Sequence, residues 1–217
     1  MAELKKIAIY GAGGFGREVA CTINKINEIE PTWNLIGFFD DGVEKGKMVS
    51  HFGPVLGGID DLNAFQEEIN LVIAIGNPAT VKKVFEKISN KKIDFPNLIH
   101  PSVYYADKET FEIGRGNILQ RECSMSCDVR LGDFNVLNSS VVFGHDVKIG
   151  NFNSFMPAVR ISGEVEMGDC NFFGVNSVVL QQIKLKSGVR LAAGSTLMTK
   201  AKENNLYVGV PAKLMKV

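Results

Sequence analysis

The chain lacks an excess of either charge and lacks any long hydrophobic run. Its 217 residues include 24 Lys and Arg against 24 Asp and Glu. Nucleic-acid binders neutralise phosphates with a basic surface, so this balance argues against DNA or RNA as a partner. The longest apolar run, Leu71 to Ile75, is far shorter than the roughly 20 residues of a membrane-spanning helix. We therefore expect no nucleic-acid partner and no membrane span.

Histidines and paired cysteines are equally sparse. The only histidines are His51, His100 and His145, whereas a catalytic zinc site takes about three protein ligands, usually histidines. The four cysteines are scattered and fit neither a disulfide framework nor a zinc spacing. The first residues lack the apolar core of a secretion signal. These absences predict a cytoplasmic protein without a metal site.

The N-terminal part carries a glycine-rich segment directly after a strand pattern. Lys6 to Tyr10 reads as a buried strand, and Gly11 to Gly16 matches G-x-G-x-x-G ahead of a helix predicted to about Ile26. In that context the glycines permit a tight turn, and the helix N-terminus offers free N–H groups to an anion. The motif alone is weak, because glycines also serve simply to let a helix and a strand pack closely.

The following strands complete a short nucleotide-type unit. Leu35 to Phe39 is a predicted strand that ends at two acidic residues, in the place where such folds hold a ribose hydroxyl. A third strand, Leu71 to Ile75, precedes a helix predicted to about Ile88. Roughly 95 residues make one mononucleotide half, whereas a dinucleotide site takes two halves. The size therefore favours a nucleoside diphosphate, such as that of a nucleotide sugar, over NAD.

The C-terminal part contains a six-residue repeat. Every sixth residue from Ile113 to Leu197 is large and apolar, and the position two residues earlier is mostly small or β-branched. This period predicts a solenoid of parallel strands in which each coil buries its face against the next. The inward positions are Ile113, Leu119, Met125, Leu131, Leu137, Phe143, Ile149, Phe155, Ile161, Met167, Phe173, Val179, Leu185, Leu191 and Leu197.

A period of eighteen residues lies on top of the shorter one. Three hexapeptides therefore close one coil, and equivalent residues stack on neighbouring coils. We expect the repeated asparagines to form an amide ladder and the repeated glycines to supply the special backbone angles of a corner. The residues with this period are Gly114, Gly132, Gly150 and Gly168, and Asn117, Asn135, Asn153 and Asn171.

Six short motifs follow one another in a specific order. They are Ile9 to Glu18, Phe39 to Asp41, Ala74 to Asn77, Ile99 to Ser102, Gly144 to Asp146 and Gly209 to Lys213. In this order they resemble the bacterial sugar O-acyltransferases of the sialic-acid O-acetyltransferase type, a family that includes N-acetyltransferases of UDP-4-amino sugars. The resemblance covers nearly the whole chain.

The resemblance implies a fold, an assembly and two substrates. It implies a Rossmann-like half domain that binds a nucleotide sugar over residues 1–98. A left-handed parallel β-helix of triangular section, with the C-terminal tail, would occupy residues 99–217. In this family the repeat domain forms a homotrimer, active sites lie between subunits, and acetyl-CoA is the acyl donor.

The resemblance also assigns the catalytic pair. The family's general base is a histidine followed by an acidic residue that raises its basicity, which implies His145 and Asp146. Gly163 lies eighteen residues after His145 and so stacks on the next coil. Its N–H could donate to a thioester oxyanion, although a glycine needed only for the turn is an equal alternative.

The binding residues follow from the same resemblance. The nucleotide-sugar site is implied at Gly13, Gly14, Phe15, Asp40 and Asp41. The coenzyme is implied along the coils past Ser154, Gly163, Val175 and Ala193. Relatives often carry a second histidine at the position of Ser154, so this contact departs from the family pattern.

These observations predict an acetyl-CoA-dependent N-acetyltransferase that acts on a nucleotide-linked amino sugar in surface-glycan biosynthesis, with UDP as the expected nucleotide. Transfer would be direct, because the thioester is already activated. Two alternatives stay open. One is an O-acetyltransferase of sialic acid or another glycan precursor, and the other is a non-catalytic trimer that binds a nucleotide sugar.

Overall fold

A computed structural model describes residues 4–215 of the chain. The N-terminal part is an α/β unit of five strands and three helices. Its elements are β1 (Lys5–Tyr10), α1 (Gly14–Ile29), β2 (Trp33–Phe39), β3 (Val55–Gly57), α2 (Ile59–Asn63), β4 (Ile69–Ile73), α3 (Pro78–Lys87) and β5 (Ile93–Asp94).

The strands of this unit form one parallel sheet in the order β3-β2-β1-β4-β5. In such sheets, ligands bind outside the carboxyl ends of the strands, where the strand order reverses. The glycine segment follows β1 and the acidic pair follows β2. Both therefore lie at the edge where a nucleotide is expected.

The predicted elements of this unit are present with shifted ends. Helix α1 continues to Ile29, past the predicted Ile26, and β4 begins two residues before Leu71. Elements β3, α2 and β5 were not predicted, because two to five residues are too few for a hydrophobic period. None of the helices within residues 4–215 has the length and apolar character needed to cross a membrane.

The remaining strands wind into a solenoid. Nearly all of them are two residues long. They are β6 (Leu98–Ile99), β7 (Tyr104–Tyr105), β8 (Glu112–Ile113), β9 (Ile118–Leu119), β10 (Ser124–Met125), β11 (Arg130–Leu131), β12 (Val136–Leu137), β13 (Val142–Phe143), β14 (Lys148–Ile149), β15 (Ser154–Phe155), β16 (Arg160–Ile161), β17 (Glu166–Met167), β18 (Phe172–Phe173), β19 (Val178–Val179), β20 (Lys184–Leu185), β21 (Arg190–Leu191), β22 (Thr196–Leu197), β23 (Leu206–Val208) and β24 (Lys213–Met215).

Every third strand joins the same sheet, which gives the solenoid three faces. The first face has the order β24-β23-β21-β18-β15-β12-β9-β6, the second β22-β19-β16-β13-β10-β7 and the third β20-β17-β14-β11-β8. All pairings are parallel except that of β23 with β24. The predicted left-handed parallel β-helix after an α/β unit is confirmed.

The predicted inward positions form the core of the solenoid. All of them except Ile113 are buried. Ile113 is only partly covered, because β8 is the terminal strand of the third face. Burying a large apolar side chain contributes roughly 1.5–3 kcal/mol, so the repeat itself supplies the main stabilisation of this part.

The predicted asparagine ladder runs through this core. The amide Nδ2 of Asn135 donates to Oδ1 of Asn117 at 3.1 Å, and Asn153 and Asn171 continue the series at 3.0 and 2.9 Å. The same Oδ1 atoms also accept backbone N–H groups of the next coil. All four side chains are fully buried, so the ladder satisfies polar groups that water cannot reach.

The predicted role of the repeated glycines is wrong. The left-handed corner conformation occurs two residues later, at Phe134, Phe152 and Cys170, with φ of 54°, 56° and 58°. The glycines are required for space. A Cβ at Gly132 would lie 2.7 Å from the carbonyl oxygen of Gly150 on the next coil. Close stacking of coils therefore selects glycine at this position.

The solenoid also begins earlier than the unbroken six-residue series. Strands β6 and β7 precede Ile113, and β6 pairs with β9 in the first face. The inward Tyr105 and Ile113 are eight residues apart instead of six. Two extra residues thus hide the first coil from a search for a strict period.

The α/β unit packs against the first face. Ile118 and Val136 of that face share one apolar cluster with residues of β1 and α1. A second contact forms at the corner between the third and first faces. The rings of Phe134 and Phe152 stack there at 5.4 Å, and Phe85 of α3 lies 4.4 Å from Phe134. The two parts are therefore joined by two apolar contacts.

Candidate active site

His145 lies at the corner between the second and third faces, directly after β13 and Gly144. Its side chain is 58% exposed, and its Nδ1 lies 2.8 Å from Oδ2 of Asp146. With the Nδ1–H donating to that carboxylate, a neutral imidazole presents Nε2 as a free acceptor. The carboxylate would also stabilise the imidazolium that forms when Nε2 takes a proton. The pair has the arrangement of a general base and its orienting acid.

Gly163 stacks against this imidazole from the next coil. A Cβ at Gly163 would lie 2.6 Å from Nε2 of His145, so any side chain would fill the space in front of the ring. The glycine does not have a positive φ, so the turn itself does not require it. Within residues 4–215, the Gly163 N–H has no hydrogen-bond partner. It is therefore available to an oxygen that develops negative charge.

The glycines after β1 fall into two kinds. A Cβ at Gly11 would lie 2.7 Å from the carbonyl oxygen of Ala74, and a Cβ at Gly16 would collide with the carbonyl oxygen of Gly11. Gly13 and Gly14, in contrast, face open space, with nothing within 4 Å of a built Cβ. Close packing explains the first two glycines but not the second two, which leave the backbone open to a ligand.

The start of α1 is suited to an anion. Its N-cap residue is Gly13, which has no side chain to cap the helix, and its first turn holds no acidic residue. The first N–H groups of a helix have no partner within it, and the helix dipole adds positive potential there. Phe15 follows in the first turn and is half-buried. A diphosphate at this point would be held by backbone donors.

The two acidic residues after β2 are engaged with backbone. Asp40 accepts the N–H groups of Ala12 and Gly42, each at 2.8 Å, with its two oxygens. Oδ1 of Asp41 accepts the N–H of Ile59, also at 2.8 Å. Asp40 thus ties the glycine segment to the end of β2, and Asp41 holds the start of α2. Each carboxylate keeps acceptor capacity toward the open edge of the sheet.

A cleft of about 660 Å³ runs between α1 and the corner between the first and second faces. Its volume lies within the usual range for small-molecule sites, roughly 300–1,000 Å³. It begins at the glycine segment and continues along one side of α1. The residues from α1 include Phe15, Glu18 and Thr22, and those from the solenoid include His100, Gln120 and Asn138. Among these, sequence reasoning named only Phe15 as a binding residue, because the pairing of a helix with the solenoid leaves no local signal.

His100 is held in one tautomer at the edge of this cleft. Its Nδ1 accepts the backbone N–H of Ser102 at 3.1 Å and lies 2.8 Å from the Ser102 hydroxyl, which in turn accepts the N–H of Glu122. The proton of the neutral ring is therefore on Nε2. Partial burial, with the positive charges of Arg121 and Lys25, holds the pKa of His100 below its ordinary value.

The structure does not bring the predicted coenzyme residues together within one chain. Ser154 is 1% exposed on the face that the α/β unit covers, so within one chain it has no open surface for a coenzyme. Val175 and Ala193 are exposed and stack at the corner between the first and second faces. His145 and Gly163 occupy the corner between the second and third faces, opposite the α/β unit. Within residues 4–215, no cluster of three or more His, Cys, Asp or Glu side chains could hold a metal.

The chain is similar to a known family domain and to a curated enzyme. Residues 6–88 match the family model described as the PglD N-terminal domain. UDP-N-acetylbacillosamine N-acetyltransferase of Bacillus subtilis (strain 168) is 28% identical over 118 residues, which are 54% of this chain and 51% of that protein. The chain thus matches about half the length of this curated relative.

Two solved structures cover nearly the whole chain. The acetyltransferase domain of PglB from Neisseria gonorrhoeae FA1090, in complex with acetyl coenzyme A, has a TM-score of 0.86 at 24% identity and covers 98% of this chain and 100% of its own. PerB from Caulobacter crescentus, in complex with CoA and GDP-perosamine, has a TM-score of 0.84 at 22% identity and covers 99% of each chain. The predicted resemblance to the sugar acyltransferases is confirmed, from the PglD-type N-terminal domain through the β-helix.

Proposed function

We propose that this protein transfers the acetyl group of acetyl-CoA to the amine of a nucleotide-linked amino sugar, with UDP as the nucleotide. The observation that carries the proposal is the His145–Asp146 pair, whose free Nε2 faces Gly163 on the next coil. The names of relatives support the substrate classes. One acts on a UDP-linked sugar, and another structure holds CoA with GDP-perosamine.

The geometry supports a direct transfer. The sugar amine attacks the thioester carbonyl carbon, forming the N–C bond, while Nε2 of His145 takes the proton from the amine. Asp146 accepts the Nδ1–H and stabilises the imidazolium. The Gly163 N–H donates to the carbonyl oxygen as negative charge develops there. The C–S bond then breaks, and the imidazolium returns its proton to the departing thiolate.

The assembly we propose is a homotrimer in which two copies complete each site. His145 and Gly163 of one copy lie at the corner farthest from that copy's own α/β unit. A neighbouring copy would supply the glycine segment with its nucleotide sugar, and Val175 and Ala193 along the coenzyme. A closed ring of such head-to-tail contacts gives equivalent sites. We place the reaction in the cytoplasm, where acetyl-CoA and nucleotide sugars are available.

The test is release of free CoA thiol from acetyl-CoA with a panel of acceptors. The panel holds UDP-, GDP- and dTDP-linked 4-amino-4,6-dideoxy sugars and free sialic acid. We expect turnover on a UDP-amino sugar that falls by about 10²–10⁴ in His145→Ala, the range for loss of a general base. His51→Ala is the matched control, because within residues 4–215 this exposed histidine packs its ring on Phe52 alone and bonds through its side chain to Ser50 alone.

Two other outcomes of this assay would each favour one of the alternative functions. Turnover on sialic acid alone would make the acceptor a hydroxyl and would contradict the nucleotide role of the glycine segment. Tight binding of a nucleotide sugar without turnover on any acceptor would leave a binding protein in place of an enzyme.

A further inference from the structure

The cleft beside α1 has a buried polar group that the transfer reaction does not use. Gln120 is 6% exposed, and its Oε1 accepts the hydroxyl of Thr22 at 2.7 Å. Its Nε2 is buried and has no hydrogen-bond partner among residues 4–215. An unpaired buried amide is unfavourable, so a ligand that pairs with it gains affinity from this position.

A second donor stands beside it. Because Nδ1 of His100 is engaged with Ser102, the ring offers Nε2–H to the cleft that it lines. Gln120 Nε2 and His100 Nε2 are both donors without charge. The partner that satisfies both is an acceptor oxygen, such as that of a carbonyl or a hydroxyl.

The charges around the cleft favour a neutral group over an anion. Lys25 is paired with Glu28 at 2.8 Å, and Arg121 with Glu122 at 3.1 Å. Glu18 adds a further negative charge to the lining. Each of the two cations therefore already has a carboxylate partner, and an anion would have to compete with Glu28 and Glu122 for them.

The position of the polar group fits a sugar attached to the diphosphate. Thr22 lies seven residues after Phe15 on α1, about 10 Å along the helix axis. The remaining wall includes Phe15, Met156 and Pro157, which offer apolar surface. A pyranose ring has apolar faces and a polar rim, so it can pack on such a wall and present its substituents to Gln120.

We propose that Gln120 and His100 recognise a neutral oxygen substituent of the acceptor sugar, an acetamido carbonyl or a ring hydroxyl. Thr22 is the positioning residue that fixes the orientation of the Gln120 amide. This inference rests on the proposed function, since it places the sugar of the nucleotide-linked substrate in the cleft.

The experiment compares wild type with Gln120→Met. This exchange keeps the length of the side chain and removes the Nε2 donor. With a UDP-4-amino-4,6-dideoxy sugar, we expect KM to rise about tenfold, the effect of one lost hydrogen bond. The kcat and the KM for acetyl-CoA should stay near wild type. Calorimetry with UDP alone should show unchanged affinity, because the nucleotide does not reach Gln120.

Two further variants complete the test. Gln66→Met makes the same exchange at an exposed glutamine of the α/β unit and should leave every value unchanged. Thr22→Val removes the hydroxyl that orients Gln120 and should raise KM by a smaller factor, with a moderate loss of Tm because Oε1 of Gln120 loses its partner. An unchanged KM in a folded Gln120→Met, or an equal loss for UDP and the UDP-amino sugar, would overturn the inference. If the UDP-amino sugar binds but is not acetylated, the proposed function fails. The affinities of wild type and Gln120→Met for that sugar, measured by calorimetry, still decide this inference.

Discussion

At the scale of single residues, the proposed catalytic corner depends on one absent side chain. Gly163 leaves the space in front of Nε2 of His145 open and keeps a free N–H beside it. Since φ at Gly163 is not positive, any residue could adopt its backbone conformation. The neighbouring imidazole leaves no room for a Cβ at Gly163, and the proposed role of this space in holding a thioester can be tested by adding one methyl group.

Gly163→Ala should lower kcat by about 10² while Tm stays at the wild-type value. The added Cβ would lie 2.6 Å from Nε2 of His145, and the exposed ring can turn away at little cost to the fold. A displacement of about 1 Å at a reacting group is enough for that loss. Steady-state kinetics and a thermal melt measure the two effects.

Gly144→Ala is the contrasting control. A Cβ at Gly144 would lie 2.6 Å from the backbone nitrogen of Gly163, which cannot move aside as a side chain can. This variant should lose Tm as well as activity. Equal losses of Tm in the two variants would contradict the role assigned to Gly163.

Asp146→Asn tests the acidic partner without changing the backbone. Asp146 has φ of 60°, a conformation that asparagine tolerates well. The amide oxygen can still accept the Nδ1–H of His145, but it cannot balance the charge of the imidazolium. We expect kcat to fall about tenfold with KM for acetyl-CoA unchanged, in thiol-release assays. A variant with wild-type kcat would leave Asp146 as a corner residue only.

At the scale of elements, the asparagine ladder links successive coils. Oδ1 of Asn153 accepts the N–H and Nδ2 of Asn171 at 2.8 and 2.9 Å, and its Nδ2 donates to Asn135. Asn153→Leu should lower the free energy of unfolding by about 2–4 kcal/mol, because buried groups on both neighbours lose their partners. Urea unfolding at fixed protein concentration measures it. Asn205→Ala, at a partly exposed asparagine whose amide donates to the nearby Glu203 carbonyl, should change stability by no more than about 0.5 kcal/mol.

The junction between the α/β unit and the solenoid should respond to pH through His100. Its pKa is held below the ordinary value by burial and by Arg121 and Lys25, against the opposing Glu122. The folded state therefore binds fewer protons than the unfolded chain. The stabilising contribution is complete above the unfolded-state pKa of about 6.5 and is lost as pH falls through the folded-state pKa.

His100→Asn keeps an acceptor for Ser102 and removes the titration. Between about pH 7 and pH 5, wild type should therefore lose more stability than the variant. Urea unfolding across that range gives both curves. Parallel curves would mean that His100 titrates alike in the folded and unfolded states.

Some elements could be predicted from the sequence and others could not. The strict period from Ile113 to Leu197 predicted the solenoid, because every coil buries the same position. Strands β6 and β7 were missed, since two extra residues before Ile113 break the period. Ser154 was assigned to the coenzyme from the family resemblance. Only the packing of the α/β unit on the first face shows that this residue is buried. Long-range contacts between different kinds of element leave no local pattern.

At the scale of the whole molecule, the two halves of the chemistry lie on opposite sides of one chain. The α/β unit covers the first face, and His145 stands at the corner opposite to it. The sequence predicted both sets of residues, but their separation depends on which corner of the triangle each hexapeptide occupies. The site shared between copies that we propose would bring the open glycine segment of one copy to the base of another.

The most direct test of this shared site is complementation between two inactive variants. His145→Ala removes the base. Gly14→Leu blocks the open start of α1, and the chain can accept it because a Cβ at Gly14 meets no other atom within 4 Å. Co-expression in equal amounts gives mixed trimers. In them a site works when its base comes from a Gly14→Leu copy and its glycine segment comes from a His145→Ala copy. This arrangement predicts recovery of about one quarter of wild-type activity, by random pairing in a closed ring. Mixed oligomers that stay as inactive as either variant alone would contradict it and would place both parts of each site in the same chain.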